Sequence, residues 1–109
     1  MVRRVFFLTG IRSEYDILAP VIGAVHDRPE LEAGVIVTGA HLTARHGHSV
    51  RQIEADGYPI VARIESLLAA DTLTGRVTGA ALQLIGLSDL FVRDRPDFVV
   101  VMGDREEAL

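Results

Sequence analysis

Residues 5–18 read Val5-Phe6-Phe7-Leu8-Thr9-Gly10-Ile11-Arg12-Ser13-Glu14-Tyr15-Asp16-Ile17-Leu18, and the change of pattern inside that stretch decides the fold. Val5 to Leu8 is an unbroken apolar run closed by Thr9-Gly10, the pattern of a strand buried on both faces in a parallel sheet. Past Gly10 the period changes. Ile17, Leu18, Val21, Ile22 and Val25 recur at helical spacing, with Ser13 as the expected N-cap and Glu14 and Asp16 in a first turn where carboxylates favour the helix dipole. The expected helix runs from Ser13 to about Asp27.

Working outward, Leu31 to Thr38 follows Pro29 and reads as a second strand ending at Gly39. Ser49 to Asp56 reads as a short helix stopped by Gly57, and Tyr58 to Ile64 as a third strand that starts beside Pro59. From Thr72 to Arg93, Leu73, Val77, Ala81, Leu84, Leu87, Leu90 and Phe91 keep a rough helical period. The stripe Leu84, Leu87 and Phe91 is therefore expected in the core, with Gly75, Gly79 and Gly86 letting neighbours come close. Arg95-Pro96 ends that helix, and Asp97 to Met102, bounded by Gly103, reads as a fourth strand. Strands alternating with helices predict an α/β fold, a Rossmann-like three-layer αβα arrangement around a parallel sheet. The final Arg105-Glu106-Glu107-Ala108-Leu109 has the pattern of the first turn of a further helix. Residues 1–109 are therefore expected to be the N-terminal portion of a Rossmann-like domain, truncated from a longer protein.

Composition narrows the class. In 109 residues, 49% hydrophobic and 24% charged, there is room for one core and no signature of disorder. All 11 basic residues are arginine, and against 15 acidic ones they leave a net charge of -4. That balance disfavours sequence-independent binding to nucleic acid or to an anionic membrane, so any anion is expected to be held by a few placed arginines. With no cysteine there is no disulfide, thiolate zinc site or cysteine nucleophile, and a cytoplasmic location is the default expectation. The apolar run after Met1-Val2-Arg3-Arg4 is too short for a signal peptide.

In sheets of this kind ligands bind beyond the carboxyl ends of the strands, where strand order reverses, here expected between the first and fourth strands. Arg12 and Ser13 follow the first strand, and Asp104 and Arg105 follow the fourth. Two arginines and helix N-termini suit a phosphate or diphosphate, and Asp104 beside them is a candidate acid or base. The same residues also suit simple helix capping and mutual pairing. His41, after the second strand, is placed to reach the same crevice. His46-Gly47-His48 has no carboxylate triad nearby and reads as a loop pair and not a metal site, while His26 reads as structural. Gly-x-Gly-x-x-Gly and the Walker Gly-Lys-Ser/Thr are both absent, which disfavours a dinucleotide redox enzyme or a P-loop NTPase.

An ordered set of motifs then carries a family likeness. Thr9-Gly10-Ile11-Arg12-Ser13-Glu14-Tyr15 with Leu18-Ala19-Pro20, Val37-Thr38-Gly39-Ala40-His41-Leu42, Gly47, Ile53-Glu54-Ala55-Asp56-Gly57, Gly79-Ala80-Ala81-Leu82, Arg95-Pro96-Asp97 and Gly103-Asp104-Arg105-Glu106-Glu107-Ala108-Leu109 together resemble the UDP-N-acetylglucosamine 2-epimerases. Ser13 after the first-loop arginine, and Arg105-Glu106-Glu107 after Gly103-Asp104, resemble the hydrolysing branch that makes N-acetylmannosamine for sialic acid synthesis. Ile11 and His48-Ser49 depart from the usual residues. The resemblance implies a GT-B-type fold of two Rossmann-like domains with a nucleotide sugar in the cleft, no cofactor, and a homo-oligomer, dimer or tetramer. It implies elimination of UDP across C1 and C2 to a glucal, followed by hydration. It assigns Asp104 a catalytic acid or base role, Arg12 and Arg105 the diphosphate, and Ser13 the nucleotide through its backbone amide. A relative acting on UDP-2,4-diacetamido-2,4,6-trideoxyglucose fits the same motifs. A non-catalytic Rossmann-like nucleotide-binding module is the alternative from another class.

Overall fold

The computed structural model of the chain describes residues 2–43, 49–65 and 72–102. Strands Arg3–Thr9 (β1), Leu31–Thr38 (β2), Ile60–Ile64 (β3) and Phe98–Val100 (β4) alternate with helices Arg12–His26 (α1), Val50–Asp56 (α2) and Leu73–Asp94 (α3). A 3₁₀ turn, Gly39–Leu42, follows β2. The strands lie in the order β3-β2-β1-β4, every neighbouring pair parallel. At the centre Phe7 of β1 stands opposite both Val35 and Val100.

Successive side chains of a strand point to opposite faces, so the apolar runs of β1 and β2 feed two cores. Val5, Phe7, Ala33, Val35 and Val37 pack with Tyr15, Leu18 and Ile22 of α1 and Val50 and Ile53 of α2. On the other face Phe6, Leu8, Ile36 and Ile64 pack with Leu90 of α3. The result is the three-layer αβα arrangement expected from the alternation of elements. The start of β4 is tied to β1 by a reciprocal pair: the Arg4 N–H donates to Asp97 Oδ2 at 2.8 Å and the Asp97 N–H donates to the Arg4 carbonyl at 2.9 Å. Phe98, Val99 and Val101 nevertheless stay exposed. Among the described residues no helix is long and apolar enough to cross a membrane.

Two local expectations are corrected. Ser13 is not the cap of α1; the helix starts at Arg12 with Ile11 as N-cap, extended at φ -152° and making no side-chain cap bond. Instead the Glu14 carboxylate reaches back past the N-cap and accepts the Gly10 N–H at 2.9 Å, one residue further than the bond of a capping box. The stripe expected to bury α3 is also displaced, since Leu73, Val77 and Leu84 are exposed. The buried positions are Gly75, Gly79, Gln83 and Leu90, with Leu87 and Phe91 half-buried. The helix turns its smallest residues to the sheet, which lets its axis approach where a leucine face would hold it off. Gly86 sits at such an approach, and a Cβ there would lie 2.9 Å from Ile64 Cγ2.

Ends of helices follow local chemistry. Thr72 caps α3 by accepting the Gly75 N–H at 3.0 Å. Gly57 ends α2 in the left-handed region at φ 82°, where only glycine is unstrained. Gly34 is constrained by space and not by φ. A Cβ on it would lie 2.6 Å from Val61 Cγ1 and 2.9 Å from Phe6 Cδ1. Gly34→Ala is therefore expected to destabilise the fold by about 1–3 kcal/mol through overpacking, read by equilibrium denaturation; an unchanged midpoint would contradict that packing.

Candidate functional site

Strand order places β1 between β2 and β4. The chain leaves β1 toward β2 on one side and meets β4 on the other, so a crevice opens beyond the carboxyl ends of β1 and β4, as the order reversal requires. The described residues at the carboxyl end of β1 are the Thr9-Gly10-Ile11 turn and the first turn of α1, joined through His41 to the 3₁₀ turn and the start of α2. Met102, just past β4, packs against the core under α1.

Arg12 and Ser13 occupy the first two helical positions of α1, both exposed. Their amides have no intrahelical acceptor and point out at the positive end of the helix dipole, a setting that favours an anion. The Arg12 guanidinium rests against Asp16, Nε to Oδ2 3.8 Å, with both side chains more than half exposed. Such a surface pair is worth at most a few tenths of a kcal/mol, so Arg12 can be drawn onto a ligand at little cost. Glu14, by contrast, is buried with its carboxylate on the Gly10 N–H.

His41 is fully buried beside the end of β1. Its Nε2 lies 2.8 Å from Thr9 Oγ1 and its Nδ1 lies 2.8 Å from Ser49 Oγ. The ring meets Tyr15 edge-on with centroids 6.2 Å apart, and the Tyr15 hydroxyl donates to Asp56 Oδ2 at 2.6 Å. Burial lowers the His41 pKa to about 4, against a smaller upward pull from Asp16 and the Ile11 carbonyl. Burial, with Asp56, raises that of Tyr15. Between pH 4 and pH 6.5 the unfolded chain binds a proton at His41 that the folded chain does not. The corresponding stability, on the order of 3 kcal/mol, is fully present above pH 6.5 and lost as the pH falls through 4. His41→Phe is expected to flatten the rise of unfolding free energy between pH 4.5 and pH 7; an identical slope in wild type and variant would contradict the buried neutral imidazole.

A second buried polar tie, Thr38 Oγ1 to Gln83 Oε1 at 2.9 Å, holds α3 to the end of β2. Of the residues singled out from sequence, Arg12, Ser13 and His41 gather at this end of β1, His41 buried and the other two at the surface. Asp104, Arg105, His46 and His48 lie outside the described residues. His26 is exposed at the end of α1 with its ring 5.5 Å from that of Tyr58. Sequence reasoning passed over Thr9, Glu14, Tyr15 and Ser49. Thr9 carried a usable signal, since a hydroxyl closing a doubly buried strand has to find a partner. Among the described residues no group of three or more His, Asp or Glu side chains stands together to hold a metal.

Comparison with known proteins fits this geometry. Residues 23–109 match the family model of UDP-N-acetylglucosamine 2-epimerase. Over all of its length the chain is 31% identical to 29% of a UDP-N,N'-diacetylbacillosamine 2-epimerase (hydrolyzing) of Legionella pneumophila. Over 98% of its length it is 29% identical to 28% of a UDP-N-acetylglucosamine 2-epimerase of Neisseria meningitidis serogroup B. A crystal structure from Listeria monocytogenes superposes with a TM-score of 0.80 at 21% identity, covering 99% of this chain and 27% of that one. A crystal structure of UDP-N-acetylglucosamine 2-epimerase gives 0.77 at 22% identity, covering 98% and 28%. The chain thus spans less than a third of the length of these relatives, and it has the fold of the N-terminal part of these GT-B-type proteins.

Proposed function

The chain belongs to the UDP-N-acetylglucosamine 2-epimerase family, and from that membership we propose that the intact protein is a hydrolysing 2-epimerase converting UDP-N-acetylglucosamine and water to N-acetylmannosamine and UDP. The observation that carries the reading is the end of β1: exposed Arg12 and the amides of Arg12 and Ser13 at the start of α1 stand at the switch point between β1 and β4. In sequence Gly103-Asp104-Arg105 follows two residues after the end of β4.

In this reading the diphosphate lies against the first turn of α1, with the guanidinium of Arg12 and that of Arg105 on its oxygens and the Ser13 amide beside the nucleotide. A fixed guanidinium is matched to the charge that grows on departing UDP. Asp104 serves as the acid or base. The C2 proton is removed and the C1–oxygen bond breaks, giving UDP and a C1=C2 glucal. Water then supplies hydroxyl to C1 and a proton to the opposite face of C2. The alternation of charge demands a carboxylate close to C2 and cations close to the phosphates, the order in which these residues follow their strands.

A second substrate is favoured by a specific observation, the 31% identity to the Legionella relative, whose named substrate is the 2,4-diacetamido-2,4,6-trideoxy sugar. Comparing kcat/KM of the intact protein for the two UDP sugars separates the readings: a preference for UDP-N-acetylglucosamine supports the first, and a large preference for the diacetamido sugar replaces it with the second. Binding of UDP without turnover of either sugar would instead support a non-catalytic nucleotide-binding module. The 109-residue segment alone is expected to be inactive, because much of the barrier reduction comes from groups brought together around one substrate. Turnover by the isolated segment would contradict that expectation.

A further inference from the structure

The hydrogen bonds around His41 form a continuous chain. Thr9 Oγ1 lies 3.4 Å from the carbonyl oxygen of Ile11, to which a hydroxyl can only donate. Thr9 Oγ1 also lies 2.8 Å from His41 Nε2, and Ser49 Oγ lies 2.8 Å from Nδ1, so one ring nitrogen of the neutral imidazole donates and the other accepts, and both are bonded. The chain runs from Ser49, N-cap of α2, through His41 and Thr9 to Ile11, N-cap of α1.

The turn it ends on is held from its other side as well. The Ile11 carbonyl accepts the N–H groups of Glu14 and Tyr15 at 3.1 and 3.2 Å, and Glu14 holds the Gly10 N–H at 2.9 Å. Packing alone does not call for an imidazole at position 41, because burying two ring nitrogens costs free energy unless both are bonded. What the imidazole adds, and no apolar ring of that size can, is a rigid link between two loops on either side of it.

We propose that His41 is a positioning residue of the nucleotide-sugar site, its neutral ring fixing the Thr9-Gly10-Ile11 turn on which Arg12 and Ser13 stand and locking it to the start of α2. The inference rests on the reading of that crevice as the UDP site. Loosening the turn shifts the Arg12 guanidinium and the first-turn amides relative to the diphosphate, and displacements of about an ångström are enough to weaken such contacts.

The test is a double-mutant cycle on UDP affinity, measured by calorimetry on the intact protein. His41→Phe keeps the ring and removes both bonds; Thr9→Val keeps the shape and removes the hydroxyl. Each single change is expected to weaken UDP binding about tenfold. The double variant should weaken it no further than the larger single change, since both cut the same bond. Should His41→Phe fail to fold, Thr9→Val alone carries the test with the same expected loss. UDP affinities within twofold of wild type in folded single variants, or losses that add in the double variant, would overturn the positioning role. Wild-type protein that fails to bind UDP overturns the reading of the crevice itself, and the proposal with it; intact wild-type binding beside unaffected variants overturns the proposal alone.

Discussion

Asp104→Asn in the intact protein is expected to lower kcat by about a thousandfold, the scale of a lost general acid or base, while UDP affinity changes by less than about threefold. Asparagine keeps the size and hydrogen-bonding reach of the side chain and removes its ability to take or give a proton near neutral pH. The proposal rests on the order β3-β2-β1-β4, which creates a switch point beyond the carboxyl ends of β1 and β4, and on Asp104 following the fourth strand in sequence. In the proposed mechanism the arginines bind the leaving group and not the proton in flight. The two effects should therefore separate, the Asp104 change appearing in kcat and a change at Arg12 appearing first in UDP affinity. Retention of activity by Asp104→Asn, with a loss of affinity instead, would move Asp104 from the chemistry to the binding of the nucleotide.

The largest expected effect on stability is at Phe7, the middle of β1. Its ring is fully buried in the core beneath α1, among Tyr15, Leu18, Ile22 and Val35. Its backbone stands in register with both β2 and β4. Phe7→Ala removes a large apolar side chain at a point where the sheet is paired on both edges and cannot collapse inward, so the loss is expected at about 3–5 kcal/mol. That is a large fraction of the total stability of an ordinary domain. Equilibrium denaturation followed by circular dichroism measures it, and a loss below about 1 kcal/mol would mean that the core is not organised around β1. The equivalent change at Val21, exposed on the outer face of α1, should cost far less and serves as the control.

Much of this architecture is legible in the chain because doubly buried strands leave a distinctive trace. The runs at Val5–Leu8 and Leu31–Thr38 lack the alternation of a half-exposed strand, and both prove to feed cores on two faces. The helix between them is legible only in part: Leu18 and Ile22 of the row at helical spacing are buried, but Ile17 and Val21 of that row are exposed, and Tyr15, outside it, completes the buried face. Strand order followed from the alternation of elements and the usual place of the reversal, and it brought Arg12 and Ser13 to the crevice.

Periodicity fails in α3 for a physical reason. It shows which rows of a helix are apolar and not which row faces the sheet. Here the buried row is Gly75, Gly79, Gln83 and Leu90, with close approach to Ile64 at Gly86, while Leu73, Val77 and Leu84 are exposed. Ser13 misled because serine is a favoured cap, whereas the tight turn from β1 leaves Ile11 at the cap and recruits the Glu14 carboxylate to the Gly10 N–H. The surroundings of His41 were also hidden. Its partners Thr9 and Ser49 lie 32 and 8 residues away in sequence, and no local pattern records that a loop histidine will be folded under a strand end.

The measurement that bears most directly on the central claim is the identity of the products when the intact protein acts on UDP-N-acetylglucosamine in deuterated water. Elimination followed by hydration predicts free UDP and N-acetylmannosamine in equal amounts, with deuterium at C2 of the sugar. An epimerised sugar still attached to UDP, or free sugar carrying no deuterium at C2, would contradict it.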